Sequence, residues 1–558
     1  MAQKFNLLKI IKDFFLTNAF KKNIKKELNT NKSFSSQEQV LVEFNSFQNF
    51  HISASYLANY LKSKYKCQLL GFYNYSILVN DLNFSFLNKF KWTLGNVFSI
   101  KNFGVYKSLG VDKIFRPSPK NSEFYLADIK FIKLKKKIKD KKDVLAIQLD
   151  GVLIGDIIYD TYLKRFHEPT LHLDEKFFKI LKDFLILYYY WKNYFKKNKV
   201  KAVITGHFVY SYALVVRVAL KYNIKCFNVT LMRIFQGNKK NSTFAFDAKT
   251  LGLKKIVTET DNEILSNGIK LAKNILYKRI YEGKLTGADM PYVLKSSFTK
   301  KNKHKRFIAK NKKKKVLICT HDFFDAVHLN RNNLFVDFSE WLEFLGKLSE
   351  KTDYDWYIKT HPYYDKKFKF HQSISYKTMR KITDKYKKIK VLPNEYSHKR
   401  LVKEGIDLVL TVYGSVAMEY ALMNKLVITA CKNNLFSDFN FNVHPKSLKD
   451  YENKILNFEK IKLKIDKNEI YQYYFARHLH HDTNWILPNY SEFIKNIGYN
   501  NQFTTRMYSM WNPYFKREHT ERIMKTINSF YYSKDQFLNI YHSNNYKKFL
   551  KYNNFKKN

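Results

Sequence analysis

The stretch VLTVYGSVAMEYALMNKLVIT, residues 409–429, decides the fold of this chain. Its first residues are apolar and β-branched, and they predict a buried strand that ends where Gly414 and Ser415 turn the chain. A helix is predicted over residues 415–424 and a second strand over residues 425–430. Two buried strands joined by a helix indicate a parallel βαβ unit.

The alternation of strands and helices continues towards the N-terminus in two series. The series that contains the βαβ unit has further strands at 316–320, 355–362, 389–393 and 407–414 and helices at 333–351 and 398–405. The earlier series has strands at 40–44, 67–73, 144–150, 201–207 and 224–230 and helices at 52–65, 176–195 and 212–222. The predicted fold class is therefore α/β, with two Rossmann-like, doubly wound domains that face a cleft.

The same patterns divide the chain into five predicted segments. These are a basic amphipathic N-terminal segment at 1–35, a first Rossmann-like domain at 36–300, a basic linker at 301–315, a second Rossmann-like domain at 316–495 and a helical, basic and aromatic tail at 496–558. Open α/β sheets bind ligands outside the carboxyl ends of their strands, so the cleft between the two domains is the expected site.

The chain is strongly basic. Its 558 residues include 100 Lys and Arg against 48 Asp and Glu, which gives a formal net charge of +52. This charge favours nucleic acid, an anionic membrane surface or phosphorylated ligands as partners. The basic residues are spread along the whole chain without a nucleic-acid-binding motif, so a nonspecific nucleic-acid-binding protein is kept only as the alternative of another class. A hydrophobic content of 45% excludes wholesale disorder.

Cysteine usage and hydropathy predict a cytoplasmic protein. The four cysteines lie far apart without a CxxC pair, as is typical of chains in a reducing compartment. No apolar run approaches the roughly 18 residues that a membrane span needs. Lys9 and Lys12 interrupt the apolar run at the N-terminus, so a signal peptide is not expected either.

The N-terminal segment predicts an amphipathic helix. The sequence KFNLLKIIKDFFL (4–16) is followed by the basic stretch KKNIKK (21–26), and one helical face carries Leu7, Leu8, Ile11, Phe14 and Phe15. This pattern suits an interfacial helix that binds anionic lipid at the inner face of the cytoplasmic membrane. The alternative is a helix packed on the surface of the protein itself.

Candidates for phosphate and ribose binding follow two strands of the second domain. Gly414 and Ser415 precede the start of a helix, whose free backbone N–H groups favour phosphate, and Glu419 follows one turn later, where it can accept from a ribose diol. His361 and Pro362 end the strand DWYIKTHP at the same edge. The alternatives are a capping role for Ser415 and His361 and a solvated position for Glu419.

A polar loop is predicted directly after the first strand of the second domain. The loop, HDFFDAVH (321–328), places in the cleft the candidate residues His321, Asp322, Asp325 and His328. Their spacing fits no standard zinc pattern, and no metal is expected. The sequence DYD at 353–355 begins a strand instead, at the edge away from the cleft, where a turn explains it.

Several of these blocks resemble one known family. They are HDFFDAVH (321–328), NLFVDFSEWLEFL (333–345), DWYIKTHP (355–362) and TVYGSVAMEYALMNKLVIT (411–429) in the second half, and KNFGVYKSLGVDKIF (101–115), DGVLIGDIIYDTYLKRF (150–166) and TGHFVYSYALVVRVALKYNIK (205–225) in the first. Together they resemble the capsule and surface polysaccharide biosynthesis proteins, bacterial glycosyltransferases of the GT-B architecture that include Kdo transferases.

The resemblance implies roles for the candidate residues and the domains. His361 and Pro362 would contact the phosphate of a nucleotide-activated sugar, including a CMP-linked one, while Ser415 and Glu419 would hold phosphate and ribose in the 316–495 domain. The 36–300 domain would bind the acceptor, a surface or capsular glycan or a glycolipid. GT-B transferases generally need no metal, so neither a metal nor another cofactor is expected. The His-Pro block also occurs in teichoic-acid-type polymerases that use CDP-linked polyols, so a polyol-phosphate transferase is the alternative enzyme.

An inverting transferase needs a general base that reaches the acceptor hydroxyl. Three residues are candidates, namely Asp156 and Asp160, which are one helical turn apart, and His207 at the end of the strand KAVITGH. The two carboxylates have an alternative as caps or as ion-pair partners of Lys164 and Arg165. The sequence leaves the choice among the three open.

Overall fold

A computed structural model describes most of the chain. The described residues are 7–28, 30, 34–74, 86–242, 252–284, 297–298, 306–330, 332–361, 373–393 and 395–551. Pro362 of the His-Pro block lies outside them, as do residues 301–305 of the predicted linker and 552–558 of the predicted tail.

The first unit is built on a six-stranded sheet with the strand order β3-β2-β1-β6-β7-β8. All of its neighbouring strands are parallel except the last pair, in which β8 runs antiparallel to β7. The strands are β1 (Glu38–Phe44), β2 (Gln68–Tyr73), β3 (Lys113–Phe115), β6 (Lys199–Thr205), β7 (Lys225–Thr230) and β8 (Arg233–Gly237), and a separate hairpin pairs β4 (Gln148–Leu149) with β5 (Val152–Leu153).

Helices cover both faces of this sheet because its strands are apolar runs that must be buried on both sides. The helices of this unit are α1 (Leu7–Leu28), α2 (Gln48–Tyr65), α3 (Phe86–Val97), α4 (Asn102–Ser108), α5 (Asn121–Lys137), α6 (Lys141–Leu145), α7 (Gly155–Phe166), α8 (Glu175–Lys197) and α9 (Ala213–Lys221). The chain then continues through α10 (Leu253–Glu259) and α11 (Asn262–Tyr277), which a π-helical turn at Lys278–Glu282 extends, and the buried side chains of these two helices pack with Leu317 and Val409 of the second unit.

The second unit is built on a five-stranded sheet with the order β11-β10-β9-β12-β13, in which every pair is parallel. Its strands are β9 (Lys315–Cys319), β10 (Asp355–Lys359), β11 (Ile389–Val391), β12 (Leu408–Thr411) and β13 (Leu426–Thr429). Its helices are α12 (Phe338–Glu350), α13 (Ile374–Lys385), α14 (His398–Lys403), α15 (Val416–Leu422), α16 (Leu448–Leu456) and α17 (Lys467–Tyr474).

The predicted fold class is confirmed, with two α/β units built on parallel strands. One element was predicted wrongly. The run 144–150 was read as a strand, but Val144 and Leu145 end a short helix whose start is capped by Asp140, which accepts from the backbone N–H groups of Lys142 and Asp143. Only Gln148–Leu149 remains extended, in the small hairpin. The antiparallel strand β8 was not predicted.

The two units share a continuous apolar interior. A single cluster of buried side chains includes Leu41 and Val203 of the first sheet and Val316 and Ile358 of the second. Since close-packed side chains resist relative displacement, this interior fixes one sheet against the other. The carboxyl ends of the two sets of strands are thereby held at a common cleft.

The C-terminal segment returns to the first unit. Its helices are α18 (Tyr490–Ile497), α19 (Arg506–Trp511), α20 (Arg517–Tyr532) and α21 (Lys547–Leu550). Trp485, Trp511 and Phe530 are buried in one cluster with Val42 of β1 and Tyr56 of α2. Residues 485–530 therefore complete the core of the first unit, while the five segment boundaries themselves stay a prediction. Within the described ranges, none of the helices is long and apolar enough to cross a bilayer.

Candidate active site

Two predicted histidines lie together where neighbouring strands of the second sheet end. β9 and β10 pair in register with Cys319 opposite Lys359, so His321 and His361 both follow two residues after that pair. The backbone N–H of His361 donates to the hydroxyl of Thr320 at 3.2 Å. The His361 ring is partly open to solvent although protein surrounds it, and this burial lowers its pKa to about 4, against the opposing charge of Asp325. His361 is therefore neutral at pH 7.

His321 is held as a neutral ring at the floor of the cleft. Its Nε2 accepts from the backbone N–H of Tyr413 at 3.4 Å and lies 3.2 Å from the hydroxyl of Thr411, and its ring stacks on Phe338 with centroids 4.7 Å apart. Burial, with a smaller contribution from His361, lowers the pKa of His321 to about 3. An accepting Nε2 places the proton on Nδ1 in this assignment.

Gly414 and Ser415 lie beside this ring, as the sequence predicted. A Cβ added at Gly414 would lie 3.1 Å from the Thr411 hydroxyl and 3.4 Å from Cε1 of His321, so glycine allows the close approach. Ser415 has helical φ and ψ of −58° and −21° and its side chain makes no capping hydrogen bond. The capping alternative for Ser415 is therefore wrong, and its exposed hydroxyl faces solvent at the start of α15.

Glu419 is buried and not solvated. Only 7% of its side chain is exposed, and its carboxylate lies 3.6 Å from the guanidinium of Arg279, whose side chain is 1% exposed. Arg279 comes from the π-helical turn after α11 and also contacts the hydroxyl and the ring face of Tyr474. The Glu419–Arg279 pair thus ties the start of α15 to the long connection between the two units.

Asp156 is engaged by an arginine of its own unit. Its carboxylate forms a bidentate ion pair with Arg217 of α9, with 2.7 Å between Oδ2 and Nη2, and both side chains are buried. Arg217 also donates to the backbone carbonyl of Leu153 at 2.8 Å. The ion-pair alternative for Asp156 is correct in kind, but the partner is Arg217 and neither Lys164 nor Arg165.

Asp160 binds across the interface between the units. Its carboxylate accepts from Nδ1 of His328 at 2.6 Å and from the backbone N–H of His328 at 3.1 Å, while Nε2 of His328 donates to the carbonyl of Val336 at 2.7 Å. Burial lowers the pKa of His328, but the charge and hydrogen bonds of Asp160 outweigh it and raise the pKa above its ordinary value. The hydrogen-bonded pair of Asp160 and His328 therefore links the two units.

His207 is the candidate base that remains open to the cleft. It follows β6, at the carboxyl end of the first sheet, and its side chain is exposed. Desolvation by the protein around the cleft, followed by the charge of Arg233, lowers the pKa of His207 to about 4. A neutral imidazole at pH 7 can accept a proton.

Asp325 joins the two units at the same place. Its carboxylate accepts from the hydroxyl of Tyr210 at 2.5 Å and lies 3.0 Å from the ammonium of Lys164, and both partners belong to the first unit. Burial raises the pKa of Asp325, but Lys164 and Tyr210 outweigh it and hold the pKa below its ordinary value. Asp322 is buried nearby, where burial and the charge of Asp325 raise its pKa to about 7.

Two arginines that sequence reasoning missed add positive charge to the cleft. Arg233 begins β8 and Arg477 lies in the π-helical turn that follows α17. Burial, followed by the neighbouring charge of Arg477, lowers the pKa of Arg233 to about 10. The only sequence signal was an arginine at the end of an apolar segment, which is common, so neither residue could be singled out. Among the described residues, no group of three or more His, Cys, Asp or Glu side chains has an arrangement that suits a metal ion.

Comparison with known proteins gives structural similarity alone. No protein-family model and no curated protein matches the chain. Among solved structures it is similar to the beta Kdo 2,4 transferase KpsC of Thermosulfurimonas dismutans, with 13% identity, 49% of this chain and 79% of that chain covered and a TM-score of 0.27. It is also similar to a glycosyltransferase of Rickettsia africae, with 10% identity, 89% and 99% covered and a TM-score of 0.23.

A third solved structure is the wall teichoic acid polymerase TagF, with 10% identity, 89% and 96% covered and a TM-score of 0.20. These structures include the kinds of enzyme that the sequence resembles. Similarities at this level carry no argument about the present chain, whose fold rests on its own two sheets.

Proposed function

We propose that this protein is a GT-B-type glycosyltransferase that moves a sugar from a nucleotide-activated donor onto a surface or capsular polysaccharide or its lipid-linked acceptor. The observation that supports it is that two neutral histidines from opposite units, His361 after β10 and His207 after β6, both lie near the Asp325 carboxylate. His361 is placed to donate to the phosphate of the leaving nucleotide, and His207 to accept the proton of the acceptor hydroxyl.

The second unit would hold the donor. A neutral His361 donates one N–H to a phosphate oxygen, the Ser415 hydroxyl donates to another, and Pro362 directly follows His361 in sequence. The side chain of Glu419 is only 7% exposed, so a ribose diol has to enter the cleft deeply to contact its carboxylate. We therefore expect one oxygen of Glu419 to face the ribose while the other stays with Arg279.

The first unit would supply the base, and the pairing of the two carboxylates favours His207 among the three candidates. Asp156 is paired with Arg217 and Asp160 is hydrogen-bonded to His328, which makes both poorly suited to receive a proton from an acceptor hydroxyl. We assign the role to His207. It takes the hydroxyl proton while the hydroxyl oxygen bonds to the anomeric carbon, and the bond from that carbon to the donor phosphate oxygen breaks with its electron pair leaving on the nucleotide.

Positive charge in the cleft would stabilise the departing nucleotide without a metal. His361 donates to the phosphate, and the guanidinium groups of Arg233 and Arg477 add a favourable field. We expect turnover to persist in excess EDTA. Loss of turnover that magnesium or manganese restores would contradict this expectation and would make the 321–328 loop the candidate metal site.

Donor class and base can be tested together. Thermal shifts measured with CMP, CDP, UDP and GDP identify the nucleotide, because a ligand that binds only the folded state raises its stability. Product analysis with CMP-sugar and CDP-polyol donors then separates a glycosyltransferase from a polyol-phosphate transferase. His207→Asn should lower kcat by about 100-fold to 10,000-fold. The matched control is His519→Asn, far along the chain in α20, which should leave kcat unchanged, whereas unchanged turnover in His207→Asn would remove His207 as the base.

We further propose that the enzyme works at an anionic membrane surface, where α1 contacts the lipid. The support is the N-terminal half of α1, whose Leu8, Ile11, Phe14 and Phe15 side chains are exposed beside lysines. Each lysine near an anionic surface adds about 1 kcal/mol of binding free energy, which salt weakens. Vesicle binding by the chain should therefore fall as ionic strength rises.

A further inference from the structure

A second exposed apolar group lies on the first unit, on α3 and the turn that follows it. The exposed fraction is 85% for Phe86 and 67% for Phe98. The group consists of Phe86, Leu87, Phe90, Val97, Phe98 and Ile100. Five large apolar side chains are likewise exposed in the first half of α1, namely Leu8, Ile10, Ile11, Phe14 and Phe15. Surfaces of this kind mark sites that bind another apolar phase.

Both helices are packed through their other faces, so the exposed side chains belong to anchored elements. The α1 side chain Phe20 is fully buried and stacks on Tyr508 of α19 with ring centroids 4.1 Å apart. On α3, the Trp92 ring meets the edge of Phe103 at 4.9 Å and that of Phe44 at 5.5 Å. Neither helix can turn its apolar residues inward without losing these contacts.

Helix α4 contacts both α1 and the turn after α3, so it connects the two elements that carry the exposed groups. A Cβ added at Gly104 of α4 would lie 2.3 Å from the backbone oxygen of Ser99 and 3.5 Å from Nζ of Lys21 on α1. The turn that carries Phe98 and Ile100 is thus next to α1. Phe14 precedes Lys21 by about two helical turns, or roughly 10 Å along the axis. We call residues 8–15 and 86–100 together the apolar platform.

The charges around the platform are predominantly positive. Residues 86–108 contain Lys89, Lys91, Lys101 and Lys107 and no Asp or Glu, and α1 contributes Lys12 and the lysines of 21–26 against Asp13 and Glu27. Aromatic side chains that enter the boundary between headgroups and acyl chains, with lysines at the level of lipid phosphates, are the pattern of interfacial binding to anionic bilayers. An anionic bilayer offers negative charge to all of these lysines, whereas a protein partner of ordinary composition does not.

We propose that α1 and α3 form one docking surface for a bilayer that contains anionic lipid. The inference deepens the membrane contact of the proposed function, which concerned α1 alone. Both helices belong to the unit that also carries His207, so a docked enzyme holds its acceptor-binding unit at the membrane, where a lipid-linked acceptor resides.

Flotation of the full chain with vesicles tests the platform. The vesicles contain phosphatidylcholine alone or phosphatidylcholine with about a quarter phosphatidylglycerol. The triple variant Phe86→Ser, Phe90→Ser, Phe98→Ser should bind the anionic vesicles at least about tenfold more weakly than the wild-type chain. The matched control, Tyr125→Ser with Ile132→Ser on α5, removes exposed apolar side chains outside the platform and should change binding by less than about twofold.

Each other outcome overturns the proposal in a recognisable way. Unchanged flotation of the triple variant would show that α3 is not part of the contact. Equal binding to both kinds of vesicle would show that binding does not depend on anionic lipid. A dimer in light scattering that the triple variant loses, with no flotation of either protein, would assign the platform to a second copy of the chain. Transfer to a soluble acceptor without vesicles should be equal in wild type and variant, so a failure of docking is distinguishable from a failure of the proposed activity.

Discussion

His207 and His361 face the cleft from opposite units, and their titration sets an expected pH limit for activity. Burial lowers the pKa of each to about 4, with Arg233 adding to the shift at His207 and Asp325 opposing it at His361. As the proposed base, His207 has to be neutral to accept a proton, so kcat/KM should stay level on acidification and fall only near pH 4, well below the ordinary imidazole value of about 6.5. An acidic limb near pH 6.5 in the measured profile would contradict the assignment.

Glu419 is buried, so its substitution should affect stability, which the solvated alternative for this residue would not predict. Glu419→Ala removes the Glu419 carboxylate from its ion pair with the buried Arg279 guanidinium, which should cost about 3–5 kcal/mol in the free energy of unfolding. Urea denaturation measures it. The control Glu452→Ala breaks a pair with Lys351 in which both side chains are partly exposed, and it should cost no more than about 1 kcal/mol. Equal losses in both variants would mean that the Arg279 pair contributes little.

At the scale of elements, the strands of the second sheet followed from the sequence because buried parallel strands are apolar runs bounded by turn residues. Strand β8 did not, since Arg233 and Gln236 make its five residues look like a loop. The wrong strand at 144–150 has a local cause. Its apolar residues are compatible with a strand or a helix, and the two backbone hydrogen bonds that the Asp140 cap accepts stabilise the helix.

The sequence predicted the positions of those candidate site residues that directly follow a buried strand. His361 and Ser415 follow buried strands, and that placement needs no knowledge of distant residues. The pairings of Asp156 and Asp160 do need it, because their partners Arg217 and His328 are 61 and 168 residues away along the chain. Periodicity shows that the two carboxylates share a helix face, but it gives no information about what packs against that face.

Helix α7 carries both of these carboxylates and Lys164, and a substitution at its start should displace all three. A Cβ added at Gly155 would lie 1.9 Å from the backbone oxygen of Val144 and 2.8 Å from the carbonyl carbon of Leu145. Since backbone cannot move aside as a side chain can, Gly155→Ala should lower the free energy of unfolding by about 1–3 kcal/mol or more and lower turnover with it.

The control for Gly155→Ala is Gly151→Ala, at a position four residues before α7. Gly151 has a φ of +80° but no atom within 4 Å of an added Cβ, so it carries backbone strain without a clash and should cost about 1 kcal/mol with turnover unchanged. Thermal unfolding and a turnover assay on both variants distinguish displacement of α7 from strain alone.

At the scale of the whole molecule, the two units meet through a buried polar seam laid over their shared apolar interior. Asp337 caps α12 by accepting from the backbone N–H of Glu340 at 2.8 Å, and the same carboxylate accepts from the hydroxyl of Tyr159 in α7 at 2.5 Å. With the Asp160–His328 and Lys164–Asp325 pairs, α7 contacts the second unit at three carboxylate sites. Directional contacts of this kind fix the angle between the sheets, and hence the distance across the cleft.

The Asp160–His328 pair should make the stability of the assembled molecule depend on pH. Burial lowers the pKa of His328, but Asp160 raises it above the value of about 6.5 expected in the unfolded chain. The folded state therefore binds the proton more tightly, so the stabilisation is fully present below about pH 6.5 and is lost as pH rises through the folded pKa. His328→Gln removes it, and the difference in unfolding free energy between wild type and variant should be largest near about pH 6 and shrink towards alkaline pH. Urea titrations of both proteins across this range measure it, with Lys351→Gln as the control that should show no such trend, and a difference that grows with pH would mean that His328 is neutral in the folded protein.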